Sequence, residues 1–382
     1  MENGEEESPK GLGDSKVPVF LLGFVCFILA VAALKLTTPV VIPLTIALLF
    51  TFVLDPLISL LEKVKIPRVL GSIFVVLLAG FAIYLVGLIL FGGMRTILGQ
   101  YPKYEQRFTE IYTKAAEFLG LPYDEQLSLF QNIWGQNGLR LKVQSYALGF
   151  SESFLSFLKD AVIVILIVVF LLIELGHFRK RVEVAFAGRI SRRIQIIIAG
   201  IITEVSRYLA VKFIISLLTG VLAAASLSII GLDFAILWGI IAFIMNFIPN
   251  LGSIVSWGGT TLFALVQFWP YPGSILATGI VMLAINFILG NAVEPKIQGD
   301  NLGLSPFVIV ASLVGWGWLW GFAGLVLAVP MTVIIKIVCE NVPMLEPVSI
   351  LLGSYKEVKI KSKIEGSVTN LVKTEKDVQQ GK

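Results

Sequence analysis

Two polar interruptions in otherwise apolar stretches carry the residues best suited to chemistry in this chain of 382 residues. The first is Asn246, Pro249, Asn250 and Gly252, within FIMNFIPNLGS. Proline removes a backbone donor and disfavours helix at the residue before it, here Ile248. Gly252 supplies freedom to turn. A helix broken in this way leaves amides and carbonyls open, which at membrane depth is tolerated only where they are buried in protein or line a cavity. In transporters such breaks build binding sites. The plainer alternative is a kink between two packed helices. The second interruption is Asn286, Asn291, Glu294 and Pro295. Asn286, Gly290 and Glu294 recur every four residues, so they share a face if one helix runs that far. Pro295 disfavours helix at Glu294, and Lys296 is next in the chain, placed to neutralise the carboxylate. The functional reading is a proton- or cation-linked carboxylate at the mouth of a site. The alternative is an interfacial salt bridge.

The substrate-binding or gating candidates are therefore Asn246, Pro249, Gly252, Asn286, Asn291, Glu294 and Pro295. The ion-coupling candidates are Glu294 and Asp55, because charge inside a membrane is costly and functional by default. Asp55 stands just before Pro56, where a pair with a nearby Lys that fixes the end of its segment is the competing role. Lys159, Lys212 and Lys336 fall near segment ends and are expected to snorkel to an interface. Trp316, Trp318 and Trp320 alternate among Gly315, Gly317, Gly321 and Gly324, a pattern that permits close helix approach.

Other chemistry is poorly supported. No G-x-x-x-x-G-K-[ST] loop is present, so the chain does not read as an ATP-driven pump. His177 is the only histidine, which leaves a His-based metal site or a Ser-His-Asp triad without its parts. No enzyme activity, cofactor, metal or nucleic acid is expected. Cys26 and Cys339 both lie in apolar runs and read as packing residues.

The scaffold that holds these residues can be read from composition. Hydrophobic residues make up 56% of the chain and charged residues 15%, against roughly 25% charged in soluble domains. Mean hydropathy is +0.87. The apolar residues come in long runs without alternation, so the spanning structures are helices and not a barrel. Eight segments are read, near 18–36, 39–61, 69–92, 154–176, 209–231, 234–268, 273–291 and 303–338. The fold class is an all-α integral membrane protein of about eight hydrophobic segments, with interrupted or re-entrant helices in the C-terminal half and an external helical insert.

Lys and Arg distribution sets the orientation. Basic residues cluster after segment two (Lys63, Lys65, Arg68), after segment four (Arg179 to Arg193) and in the C-terminal tail. The expected organisation is a cytoplasmic tail over 1–17, segments one to three over 18–92 and an external amphipathic insert over 93–153. Segments four to eight occupy 154–340, with a cytoplasmic basic loop at 177–208. Residues 341–382 form a cytoplasmic tail, disordered beyond Tyr355. In the insert, Tyr101, Tyr104, Phe108, Ile111, Ala115 and Phe118 form one stripe, expected to pack on the membrane domain or on a second copy of the chain. One choice stays open. If 234–268 crosses once, the 294–302 loop is external. If it re-enters, that loop is internal and 303–338 must also be a hairpin.

Three segments, LDPLISLLEKVKIPRVLGSI (54–73), IIGLDFAILWGIIAFIMNFIPNLGSIV (229–255) and NAVEPKIQGDNLGLSPFVIVASLVGWGWLWGFAGLVLAVP (291–330), resemble the autoinducer-2 exporter family in sequence and order. The likeness spans about 18–340. It implies a bacterial-type permease of the cytoplasmic membrane, embedded in lipid and handling a small molecule or an ion. Members of the family are linked to export of a furanone-type signal or to sodium–proton exchange. The expected function is a secondary transporter or facilitator exporting a small polar molecule. A sodium–proton antiporter and a non-transporting membrane scaffold are the alternatives.

Overall fold

The structure, a computed structural model, describes residues 16–119, 156, 158–174, 181, 184–185, 188–298 and 303–354. These residues are almost wholly helical. Among them the one extended pairing is an isolated antiparallel bridge between Leu304 and Gly353. Among the described residues six helices are long and apolar enough to cross a membrane.

The N-terminal half is a frame of plain helices. Helix α1 is Lys16–Leu36, α2 is Thr38–Lys63 and α3 is Arg68–Gly99. Residues 158–174 form α5, which packs antiparallel to α3: Arg68 Nε donates to the Leu172 carbonyl at 3.1 Å, and Gly80 lies against Ile165. Ala47, Leu54, Ile58, Val75, Val76, Val168 and Leu172 make the buried core of this frame. Much of the outward surface of α3 remains apolar and exposed, as expected of a helix bathed in lipid.

Helix α6, Gly188–Ile230, runs 43 residues, about 65 Å at 1.5 Å per residue and far longer than a hydrocarbon core of ~30 Å. The basic stretch expected as a loop to residue 208 is therefore helical from 188 onward, and Val205 and Tyr208 are already in the core. At its far end Gly231 (φ 84°) and Phe234 (φ 60°) reverse the chain.

The next stretch of chain is a hairpin of unequal arms. Helix α7, Ala235–Met245, has 11 residues, about 16 Å and half of what a span needs. The chain turns at Asn246–Asn250 and returns as α8, Leu251–Phe268. The turn is tight enough that a Cβ on Gly252 would lie 1.7 Å from the Met245 carbonyl oxygen. Both feet stand at one end, because Gln267 donates to the Gly231 carbonyl at 2.8 Å and accepts from the Asp233 N–H at 2.7 Å. The Trp238 ring packs at a tilt against that of Phe263 across the two arms. Gly220 and Gly239 bring α7 into backbone contact with α6. The stretch 234–268 is therefore a hairpin whose two ends lie together, the shape that the re-entrant alternative requires.

Helix α9, Pro272–Phe287, leads through a π-helical segment, Ile288–Val293, into the short helix α10, Glu294–Gln298. A second hairpin is α11, Pro306–Asn341, whose helical path reverses at Gly321 (φ 59°, ψ −135°). A Cβ on Gly324 would lie 1.8 Å from the Trp316 carbonyl oxygen, and one on Gly317 would lie 2.7 Å from Leu325. Gly315 has no such neighbour, so only part of the glycine series serves close approach. Trp320 is buried, whereas Trp318 is exposed with Lys35 Nζ 4.1 Å from its ring centre. The hairpin's feet are tied to the segment expected as tail: Ser305 N–H donates to the Leu352 carbonyl and Ser354 N–H to that of Gly303, after the short helix α12, Glu346–Leu352. Residues 355–382 lie outside the described residues. Ile248, at the tip of the first hairpin, packs with Leu313 and Ala328 on the two arms of the second.

The insert expected at 93–153 is described only in part. Helix α4, Tyr101–Leu119, packs on the feet of the first hairpin through Tyr104, whose ring lies 5.3 Å from that of Phe263. Phe108, on the expected stripe, is exposed. The expectation for 120–153 falls outside the described residues.

A polar cavity between two broken helices

The first hairpin tip and the π-helical segment face each other across a cavity of about 330 Å³. Asn246, Pro249 and Asn250 come from the tip, Ser253 and Trp257 from α8, Asn286 from α9, and Gly290, Asn291 and Glu294 from the π turn and just beyond it. Of the residues singled out from sequence, Asn246, Pro249, Asn286, Asn291 and Glu294 line this one space. Gly252 sits behind it, where its lack of a side chain permits the turn. Pro295 is not on the lining.

Pro249 breaks its helix as its chemistry demands. The residue after it, Asn250, takes φ 60° and ψ −52°. Pro295 corrects the expectation that it ends a helix: Glu294 stays helical at φ −57° and ψ −52°. The π turn explains why. In a regular helix the Pro295 ring would meet the carbonyl of Asn291, four residues back. Widening the turn removes that clash and keeps Glu294 in helical conformation. The cost is backbone carbonyls without a regular helical partner, and π turns of this kind gather at functional sites.

The asparagines are held in place. Asn246 donates through Nδ2 to Ser216 Oγ at 3.0 Å, and Asn286 donates through Nδ2 to the Met282 carbonyl at 2.9 Å. Among the described residues the side-chain oxygen of each has no further bond, which leaves an acceptor for a guest.

Glu294 corrects a second expectation. Its partner is not the adjacent Lys296 but Lys212, 82 residues earlier on α6, with Nζ 2.7 Å from Oε1. Lys212 does not snorkel. Its side chain is 5% exposed and that of Glu294 15%. Lys336 is buried likewise and pairs with Glu340 at 3.0 Å. Sequence reading missed Lys212 because no local pattern marks a pair so distant. The available signal was its place: a lysine between Leu-Ala-Val and Phe-Ile-Ile at the head of a long apolar run. Asp55, the other ion-coupling candidate, is not in the cavity. It pairs with Arg68, which also reaches Glu62 at 3.5 Å, and so it fastens α2 to α3. Among the described residues no group of His, Cys, Asp and Glu is arranged to hold a metal.

The family model described as AI-2E family transporter matches residues 22–344. The chain belongs to the AI-2E transporter family. A Borreliella burgdorferi protein provisionally named a transport protein is 28% identical over 97% of this chain and 98% of its own length. A similarly named protein of Haemophilus influenzae is 30% identical over 89% and 97%. The AI-2 transport protein TqsA of Escherichia coli is 28% identical over 88% and 95%. This AI-2E family member is thus a multi-pass membrane transporter or permease, set in a lipid bilayer and acting on small substrates.

Proposed function

We propose that the cavity is the cargo site of a secondary transporter or facilitator that exports a small polar molecule of the furanone-signal kind. The observation that carries the reading is the convergence of two helix breaks on one space with four asparagine side chains. Amides both donate and accept, so they suit a solute rich in hydroxyl and carbonyl groups. A volume of about 330 Å³ is at the small end of ligand pockets. The name of TqsA, a relative over most of the chain, supports a signal of the AI-2 class as cargo.

Flux of such a furanone in proteoliposomes tests this. Asn246→Ala and Asn286→Ala should each slow it, while protein yield and melting stay near those of the parent. Parent-like flux in both variants would sink the assignment. The same reading places the protein in the cytoplasmic membrane with both termini and 177–208 inside and 93–153 outside, supported by the Lys and Arg distribution. In a background lacking Cys26 and Cys339, a cysteine at Glu110 should then react with an impermeant reagent in intact cells.

A further inference from the structure

A cation already stands in the cavity. An ammonium is a monovalent cation on a stem, and Lys212 holds it 2.7 Å from Glu294 Oε1, with the lysine side chain buried and the carboxylate part-buried. That is the position nearest the carboxylate, the one a free alkali ion would take. The surroundings would suit such an ion. Hard cations bind oxygen, and the lining offers the Glu294 carboxylate and the side-chain carbonyls of Asn246, Asn286 and Asn291. The remaining ionisable groups nearby do not replace Lys212. Tyr208, on α6, senses the charge of Glu294 but brings no positive charge, and Lys296 is outside the lining. A carboxylate shielded from water is disfavoured as a bare charge, so Glu294 needs either a cation beside it or a proton on it.

Resting on the reading of this cavity as the cargo site, we propose that Lys212 is a tethered counter-cation that keeps the site electrically filled, so that it admits uncharged polar solutes and excludes free sodium. A cationic solute meets the ammonium. An anionic one must pull Lys212 from Glu294. A neutral solute needs only the amides. Removing the amine should expose a latent sodium site.

The test uses full-length protein purified in detergent and melted in sodium chloride or in choline chloride at equal concentration. The parent should melt alike in both. Lys212→Met should melt lower in choline and recover by several degrees as sodium is raised, with saturation. Lys212→Met/Glu294→Gln should lose the sodium response. Equal melting of Lys212→Met in the two salts overturns the proposal, as does a sodium response that survives in the double variant. If Lys212→Met alone yields no folded protein, the double variant must restore it. A double variant that is also lost shows that Lys212 does something other than balance Glu294, and the proposal falls. None of these readouts needs cargo. If Asn246→Ala and Asn286→Ala transport normally, the cargo-site reading fails while the sodium result stands on its own.

Discussion

Two carboxylate–cation pairs divide the molecule. At the basic junction of α2 and α3, Asp55 and Arg68 are 21% and 23% exposed, and Arg68 spreads its donors over Asp55, Glu62 and the Leu172 carbonyl. In the cavity, Lys212 and Glu294 are 5% and 15% exposed and face each other. The first pair is built like a clasp between helix ends, with water near enough to replace any partner that is lost. The second is set among broken helices, where loss of Lys212 leaves a part-buried carboxylate unpaired. Similar chemistry thus ties two helix ends together in one region and lines the cavity in the other, and what separates the pairs most is the burial of the cation.

The largest effect expected from this difference is in the response to losing the cation. Lys212→Met should destabilise by about 1–3 kcal/mol in sodium-free medium, because Glu294 is only part-buried and loses its ion-pair partner. Arg68→Ala should cost about 1 kcal/mol, as exposed pairs do. Chemical denaturation in detergent measures both. Equal costs would erase the distinction between the two regions.

The backbones differ in the same sense. A Cβ at Gly252 overlaps the Met245 carbonyl at 1.7 Å, whereas at Gly71, beside the clasp, its nearest neighbours are at 3.7 Å. Gly252→Ala is expected to cost about 1–3 kcal/mol through forced rearrangement and to reduce flux, since the hairpin tip shapes the cavity. Gly71→Ala, inside a helix, should gain about 0.5–1 kcal/mol. A stable, fully active Gly252→Ala protein would show that the tip is not held as tightly as its geometry implies.

These contrasts mark what sequence reading reaches. Breaks made by proline and glycine are local, so FIPNLGS announced a turn and α7–α8 makes one. The four-residue spacing of Asn286, Gly290 and Glu294 also put those three residues on one cavity, although a π turn now lies within that stretch. Three features depended on distant partners or on subtle backbone choices. Lys212 looked like an interfacial lysine because its carboxylate comes 82 residues later. Pro295 looked like a helix end because a wider turn is not visible in residue types. Among four glycines in the GWGWLWGFAG run, only the folded path shows that Gly321 makes the reversal. The basic stretch 188–208 read as a loop because charge, and not propensity, marked it.

A smaller difference is expected in transport. Asn286→Ala should weaken cargo binding by about 0.5–1.5 kcal/mol, the worth of one hydrogen bond, whereas Asp55→Asn should leave cargo affinity unchanged. Concentration dependence of flux in proteoliposomes reads both. A loss of affinity in Asp55→Asn would return that carboxylate to the transport path.

The smallest effect belongs to a third pair, more open than either. Lys103 Nζ lies 2.7 Å from Asp233 Oδ2, with side chains 55% and 32% exposed, and the Tyr104 hydroxyl donates to the same oxygen at 2.8 Å. This is where α4 docks on the feet of the first hairpin. Burial alone pushes the Asp233 carboxyl up, but the hydrogen bonds from Lys103 and Tyr104 outweigh it and hold the group below its ordinary value of 3.8. Burial and the bond to Asp233 push the Tyr104 hydroxyl well above its ordinary range, so it remains a donor throughout. A carboxylate depressed in the folded state adds stability that is present in full above its unfolded pKa and is lost as pH falls through the folded one. The docking of α4 should therefore be constant at neutral pH and loosen below about pH 4, by at most about 1 kcal/mol for so exposed a pair. Hydrogen exchange in α4, corrected for the intrinsic pH dependence of exchange, should show protection falling across that window in the parent. In Asp233→Asn protection should be lower already at neutral pH and flat across the window. A parent whose protection is also flat to acid would mean that Phe263 and Tyr104 hold α4 by packing alone, and that open ion pairs on this protein contribute nothing measurable.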